Sequence, residues 1–243
     1  MKRNAFTLAE VLITLGIIGV VAAITMPTLI QKHQEQANIV KLKKLYSVIS
    51  QGYIQAITDN ESPDNWGITE ENNADSALAF IEKLKPYFKI EKVCNSTEKD
   101  CFPKYTRLSG TVFNYIANNR ASGILADGTP FWIYVSSKSC NFSASETDIK
   151  LKNICAEFKV DTNGFKKPNE YGKDIFSLYL TKNSVIPVGT VNENYSSFER
   201  LCNRNFGDVS SNGDGCAAWV IYNGNMDYLH CDDLSWNGKT KCK

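Results

Sequence analysis

One carboxylate, Glu10, stands inside an apolar run from Phe6 to Ile30, where the other polar side chains are Thr7, Thr14, Thr25 and Thr28. A helical threonine can return its hydroxyl to its own backbone. An acid in hydrocarbon costs roughly 2.5–3.5 kcal/mol even on lenient insertion scales, so Glu10 calls for a cation as partner. A second set of chemistry-bearing residues lies in Asp161-Thr162-Asn163-Gly164-Phe165-Lys166-Lys167-Pro168-Asn169-Glu170-Tyr171-Gly172-Lys173-Asp174. Asp161, Asn163 and Asp174 are oxygen donors in a loop rich in turn formers, the chemistry that suits calcium, the one candidate cofactor. The competing reading is a structural turn in which Asp161 and Asn163 bond their own backbone and Gly164 takes a positive φ. Lys166, Lys167 and Lys173 weigh on that side.

The third set is cysteine. Cys94, Cys101, Cys140, Cys155, Cys202, Cys216, Cys231 and Cys242 all follow the apolar run. An even count confined to the part expected outside the cytoplasm favours disulfides over free thiols. Connectivity is open on count alone; the sequential set 94–101, 140–155, 202–216 and 231–242 closes short loops and is the expectation. Zinc is not expected, since no C-x-x-C knuckle occurs and His33 and His230 are far apart. No G-x-S-x-G, H-E-x-x-H or P-loop spacing appears, so an enzyme is not expected. Trp132, Trp219 and Trp236 are candidates for a sugar-binding platform, but in a chain with 11% aromatic residues core packing is the simpler use.

These residues need elements to hold them. At about 1.5 Å per residue, the stretch from Phe6 to Ile30 is long enough for a hydrocarbon core of about 30 Å. Past Pro27 the pattern becomes amphipathic: Ile39, Leu42, Leu45, Tyr46, Ile49, Tyr53 and Ile57 recur at helical spacing, with Lys32, Lys41, Lys43 and Lys44 largely off that stripe. One helix from Phe6 to about Thr58 is predicted, bent or broken near Val21 to Thr25 by Pro27, and ended by the Asn60 to Asp64 cluster. Ser76 to Tyr87 predicts a second helix. Strands are predicted at 111–116, 123–126, 131–135, 156–160 and 174–180, with a turn at Asp127-Gly128-Thr129-Pro130. Short connections without helical crossovers imply an antiparallel sheet. Periodicity leaves the type of the run from Cys216 to Tyr222 open. With 27 Lys+Arg against 26 Asp+Glu there is no basic field for nucleic acid.

The opening Lys2-Arg3-Asn4-Ala5-Phe6-Thr7-Leu8-Ala9-Glu10-Val11-Leu12 resembles the type IV prepilin family, which includes pilins and the pseudopilins of type II secretion. In that family a short basic leader ends at a small residue, Phe usually follows, and Glu comes four positions later. The resemblance implies cleavage between Ala5 and Phe6 by a prepilin peptidase and N-methylation of Phe6; Ala5 stands where Gly is usual. It also implies the fold class: α+β and type IV pilin-like, with a long N-terminal helix, its first half transmembrane, packed on an antiparallel sheet head with disulfide-closed loops. The corresponding divisions are a leader at 1–5, a transmembrane and filament-core helix at 6–30, its amphipathic continuation at 31–58 and a globular head at 59–243.

Implied partners are other pilin or pseudopilin subunits in a homo- or hetero-polymer, the peptidase, an assembly platform with its ATPase, and the membrane. The implied localisation is the bacterial inner membrane, single-pass with the head outside the cytoplasm, and then an extracellular or periplasmic filament. Beside the resemblance stands a physical argument. Cleavage after Ala5 would create an ammonium on Phe6 that a neighbouring subunit's Glu10 could neutralise, a gain of about 4 kcal/mol before desolvation at an effective dielectric near 20. Gly16 and Gly19 would allow helices to approach closely. Two other readings are a secreted binding module with an ordinary signal peptide cut after Val21-Ala22-Ala23, and a membrane-anchored enzyme. Neither needs Glu10 or the Ala5–Phe6 junction.

Overall fold

The computed structural model describes residues 7–94, 101–113, 119–205 and 212–243. They fall into two compact units, Met1–Ala37 and Asn38–Lys243. Helix α1, Leu8–Asn60, begins in the first and ends in the second.

In the first unit α1 exposes a row of large apolar side chains from Leu8 to Ile30. Its apolar window has a mean hydropathy of 2.3, and it is long and apolar enough to cross a membrane. Pro27 does not break it: α1 runs through the proline without interruption. Proline removes a single donor, and where unpaired backbone is expensive, continuing the helix keeps the flanking groups bonded. Thr14 and Thr25 return their hydroxyls to the carbonyls of Val11 and Val21, at 3.0 and 2.9 Å.

In the second unit the predicted stripe is the buried one. Ile39, Leu42, Leu45, Ile49, Tyr53 and Ala56 are buried, and Tyr46 and Ile57 pack partly against the same core. Tyr53 donates its hydroxyl to the Thr181 carbonyl at 2.6 Å, so the helix is pinned to the sheet as well as packed on it.

The main sheet has six antiparallel strands: β1 Ile90–Cys94, β4 Ala121–Leu125, β5 Pro130–Val135, β6 Ile154–Asp161, β7 Ile175–Thr181 and β8 Val185–Pro187. They lie in the order β1-β4-β5-β6-β7-β8. A small ribbon pairs β2, Tyr105–Thr106, with β3, Val112–Phe113. Register assigns the faces. Phe131 pairs Val160, which pairs Phe176; Ile133 pairs Phe158, which pairs Leu178. This row belongs to the core that holds α1, with Phe131 stacked on Phe158 at 5.0 Å. The alternate residues Trp132, Lys159 and Ser177 form the opposite row, and they are buried too. Such a sheet is covered on both faces, unlike the half-solvated sheets common among antiparallel folds.

Helix α2, Ala74–Leu84, starts two residues before the predicted Ser76 because Asn73 caps it, accepting from the amides of Asp75 and Ser76 at 2.8 and 3.2 Å. It stops before Pro86, leaving Tyr87 outside. The predicted strand at 111–116 is reduced to β3 among described residues; 114–116 lie outside them. The other predicted strands exist with shifted ends. Unpredicted are β1, whose Ile-Glu-Lys-Val-Cys lacks alternation, and β2 and β8, too short to carry a period.

The run from Cys216 to Tyr222 is helical. After helix α3, Phe198–Leu201, a tight turn at Asp214–Cys216 leads into α4, Ala217–Asn223, stopped by Gly224 at φ 66°. Ala217 to Val220 are buried without a break, which removed any periodic signal. Trp219 is fully buried and stacks on Phe198 at 3.9 Å, with Trp236 at 5.0 Å. Trp132 and Trp219 are therefore core residues, not a binding platform. All eight cysteines are paired as Cys94–Cys101, Cys140–Cys155, Cys202–Cys216 and Cys231–Cys242, the sequential set.

Candidate functional site

Three groupings carry chemistry. At the start of α1, Thr7 and Glu10 close a capping box. Glu10 donates its amide to Thr7 Oγ1 at 3.2 Å, and Glu10 Oε2 accepts from the Thr7 amide and hydroxyl, each at 2.8 Å. The T-x-x-E spacing satisfies helix-end donors that have no partner within the helix. The sequence reading gave Glu10 a partner on another subunit and overlooked this one, although the spacing signals it. Ala5 and Phe6, the expected processing residues, lie outside the described residues.

The second grouping is the loop between β6 and β7. It brings Asp161, Asn163 and Asp174 together. Asp161 and Asp174 are both fully buried. Asp174 is spent on the loop itself: Oδ2 accepts from Asn163 Nδ2 and the Asn169 amide, each at 2.8 Å, and Oδ1 from the Glu170 amide at 2.5 Å. Asp161 Oδ1 accepts from the Asn163 amide at 3.0 Å. Burial, then the charge of Asp174, pushes the Asp161 carboxyl up to about 8. Burial pushes Asp174 up to about 6 against the hydrogen bonds it accepts. Lys166 and Lys167 are exposed, and Lys173 pairs with Glu170 at 2.7 Å. Of the three lysines that weighed against a cation, Lys173 thus spends its charge on Glu170. Among the described residues no cluster of three or more His, Cys, Asp or Glu side chains is placed to hold a metal. Oxygen ligands here would have to include amides and carbonyls. Asn169, absent from the sequence-derived candidates, is buried at 8% exposure beside Asp161.

The third grouping was also missed. On the sheet face away from α1, Lys159 Nζ lies 2.6 Å from Asp214 Oδ1 and 3.7 Å from Glu157 Oε2. It sits over the rings of Trp132 and Tyr171, at 4.8 and 4.7 Å. Arg120 lies over Trp132 at 4.1 Å and donates to Tyr105 Oη at 3.2 Å. Ser177 donates to Asp214 Oδ1 at 2.9 Å. Burial, more than any neighbouring charge, raises the Glu157 carboxyl above the usual carboxylate range. The signal was Glu157, Lys159 and Asp161 at every second residue of a strand, which sets three ionisable groups on one face.

The apolar N-terminal helix, antiparallel six-stranded sheet and four disulfides define an α+β protein of type IV pilin-like architecture. Residues 1–26 match the model of the prokaryotic N-terminal methylation motif, the prepilin-type signal. Residues 28–200 match the family of unknown function DUF6613, and the chain belongs to that family. No curated protein and no solved structure matches it.

Proposed function

We propose that this chain is a structural subunit of a type IV pilus or type II secretion filament. A prepilin peptidase cuts it between Ala5 and Phe6, Phe6 is methylated, and the apolar half of α1 holds the subunit in the inner membrane until assembly. The observation that carries this reading is the methylation motif over residues 1–26, with Glu10 as the single ionisable side chain between Phe6 and Ile30. A carboxylate kept there suits a neighbour's new N-terminal ammonium, which rewards one axial stagger between subunits. Head-to-tail contacts of that kind propagate into a helical filament instead of closing into a ring. The Thr7–Glu10 cap is compatible with this, since a carboxylate accepts more than two bonds. The eight disulfide-bonded cysteines support a head outside the cytoplasm.

The test is intact-mass analysis of protein recovered from a bacterial membrane in the presence of a prepilin peptidase. Loss of residues 1–5 with a gain of about 14 Da for one methyl group supports the reading. A chain that keeps Met1, or one that begins at Ile24 as an ordinary signal peptidase would leave it, overturns it.

A further inference from the structure

The Lys159 amine is set against a carboxyl group at reaction distance. Its Nζ lies 2.6 Å from Asp214 Oδ1, and a nitrogen so close to a carboxyl oxygen is roughly 3–3.5 Å from that carboxyl's carbon, the separation of a near-attack arrangement. Lysine, unlike arginine, can give up its proton in a desolvated site and then presents a nucleophilic amine. A second carboxyl attends the same nitrogen, with Glu157 Oε2 at 3.7 Å from Nζ. Burial raises the Glu157 carboxyl above the usual carboxylate range, which suits it to take up a proton and pass it on. The Ser177 hydroxyl donates to Asp214 Oδ1 at 2.9 Å. Water has little access: the Lys159 and Asp214 side chains are 5% and 11% exposed, and the rings of Trp132 and Tyr171 cover Nζ at 4.8 and 4.7 Å.

We propose that Lys159 and Asp214 condense to an isopeptide bond, a side-chain amide that fastens β6 covalently to the turn before α4. The ion pair in the structure is the reactant. Glu157 relays a proton from the Lys159 ammonium to Asp214 Oδ2, leaving a neutral amine beside a neutral acid. Nζ then attacks Cγ, and the Ser177 hydroxyl stabilises the oxyanion that develops on Oδ1. Glu157 carries a second proton from the nitrogen to Oδ2, the Cγ–Oδ2 bond breaks, and water leaves. The ammonium begins with three protons; the amide keeps one and the water takes two. Nothing is oxidised or reduced, and no co-reactant enters. Two charges withdrawn from water, an expensive arrangement, are replaced by one neutral amide. Fixed placement of amine and acid supplies an effective concentration of about 10⁵ M or more, which a free amine and acid in water lack. The two residues are 55 apart in sequence, so the bond closes a loop over β7, β8 and α3 and persists when the disulfides are reduced.

The experiment takes the full-length protein, purified in detergent, then reduces, alkylates and digests it with trypsin for mass spectrometry. Peptides 153–166 and 205–239 should be recovered joined, about 18 Da lighter than their sum for the water lost, with no cut after Lys159. Asp214→Ala should return the two peptides separately. Glu157→Gln keeps the shape but cannot relay a proton, and in samples taken over time after synthesis it should form the joined peptide at least about a hundredfold more slowly. Wild-type protein whose peptides come apart, with cleavage after Lys159, overturns the proposal. A loss of water confined to peptide 205–239 also overturns it, since that marks a succinimide at Asp214-Gly215 in place of a bond to Lys159. Joining at the wild-type rate in Glu157→Gln overturns the proton relay. The wild-type digest does not depend on the variants folding.

Discussion

Lys159 and Asp214 are 55 residues apart in sequence, and in the fold their charged groups meet at 2.6 Å with both side chains largely withdrawn from water. The pair fastens the segment before α4 to the sheet face that α1 leaves uncovered. Close backbone approach accompanies it. Gly189, at φ 92°, has no room for a Cβ, which would stand 1.9 Å from the Gly215 carbonyl oxygen.

Lys159→Ala should destabilise the head by about 3–5 kcal/mol, because it leaves Asp214 and Glu157 buried without their cation. Lys159→Met combined with Asp214→Leu should recover the part of that loss that belongs to Asp214, since the desolvation of both charges disappears with the pair while Glu157 stays buried. Urea unfolding of the detergent-solubilised protein measures both. A double variant no more stable than Lys159→Ala would count against the pair as the origin of the effect.

Glu10→Gln separates the two roles of Glu10. Glutamine also serves at the third position of a capping box, so the start of α1 and membrane insertion should survive. Insertion should even become easier as a buried charge is lost. Filament yield should fall by about tenfold or more, since 1.4 kcal/mol per contact corresponds to about tenfold. Membrane fractionation and sheared-filament yield are read together. Normal yield from the glutamine variant would show that capping, not charge, is what Glu10 supplies.

Removing the Cys140–Cys155 bridge by paired alanine substitution should cost about 3 kcal/mol, the loop-closure expectation for a loop of its size, the two residues being 15 apart in sequence. Both cysteines are buried in the main core, so the variant also loses packing. Non-reducing peptide mapping of the wild-type protein should return the four sequential pairs. Crossed pairs would contradict the fold as described.

Glu193 predicts a pH slope. It is 5% exposed and accepts from Tyr179 Oη at 2.7 Å, the Gly189 amide at 2.6 Å and the Ser196 amide at 3.1 Å. Burial outweighs those donors and pushes its carboxyl from 4.5 up to about 7. A carboxyl raised in the folded state binds more protons there than in the unfolded chain, so stability falls as pH rises between about 4.5 and 7. Glu193→Gln should be less stable throughout, its amide nitrogen facing a backbone donor, but with a shallower slope. Urea midpoints at about pH 5 and about pH 7.5 compare the two proteins.

The sequence by itself determined what depends on local pattern. The apolar run, the stripe from Ile39 to Tyr53, the T-x-x-E start and the alternation in β6 all express a period or a spacing, and each is visible without neighbours. The cysteine count and its confinement beyond the apolar run belong here too, whereas the sequential pairing is an expectation that the fold bears out. The tertiary structure alone decided the rest. Pro27 is absorbed into a continuous helix because the ladder around it outweighs one missing donor. The all-apolar run at Ala217 to Val220 is a helix because burial on every side erased its period. Lys159 meets Asp214, and Asn169 meets Asp161, through chain return. No spacing encodes such a contact, because it forms only after strand register has set which face each residue occupies.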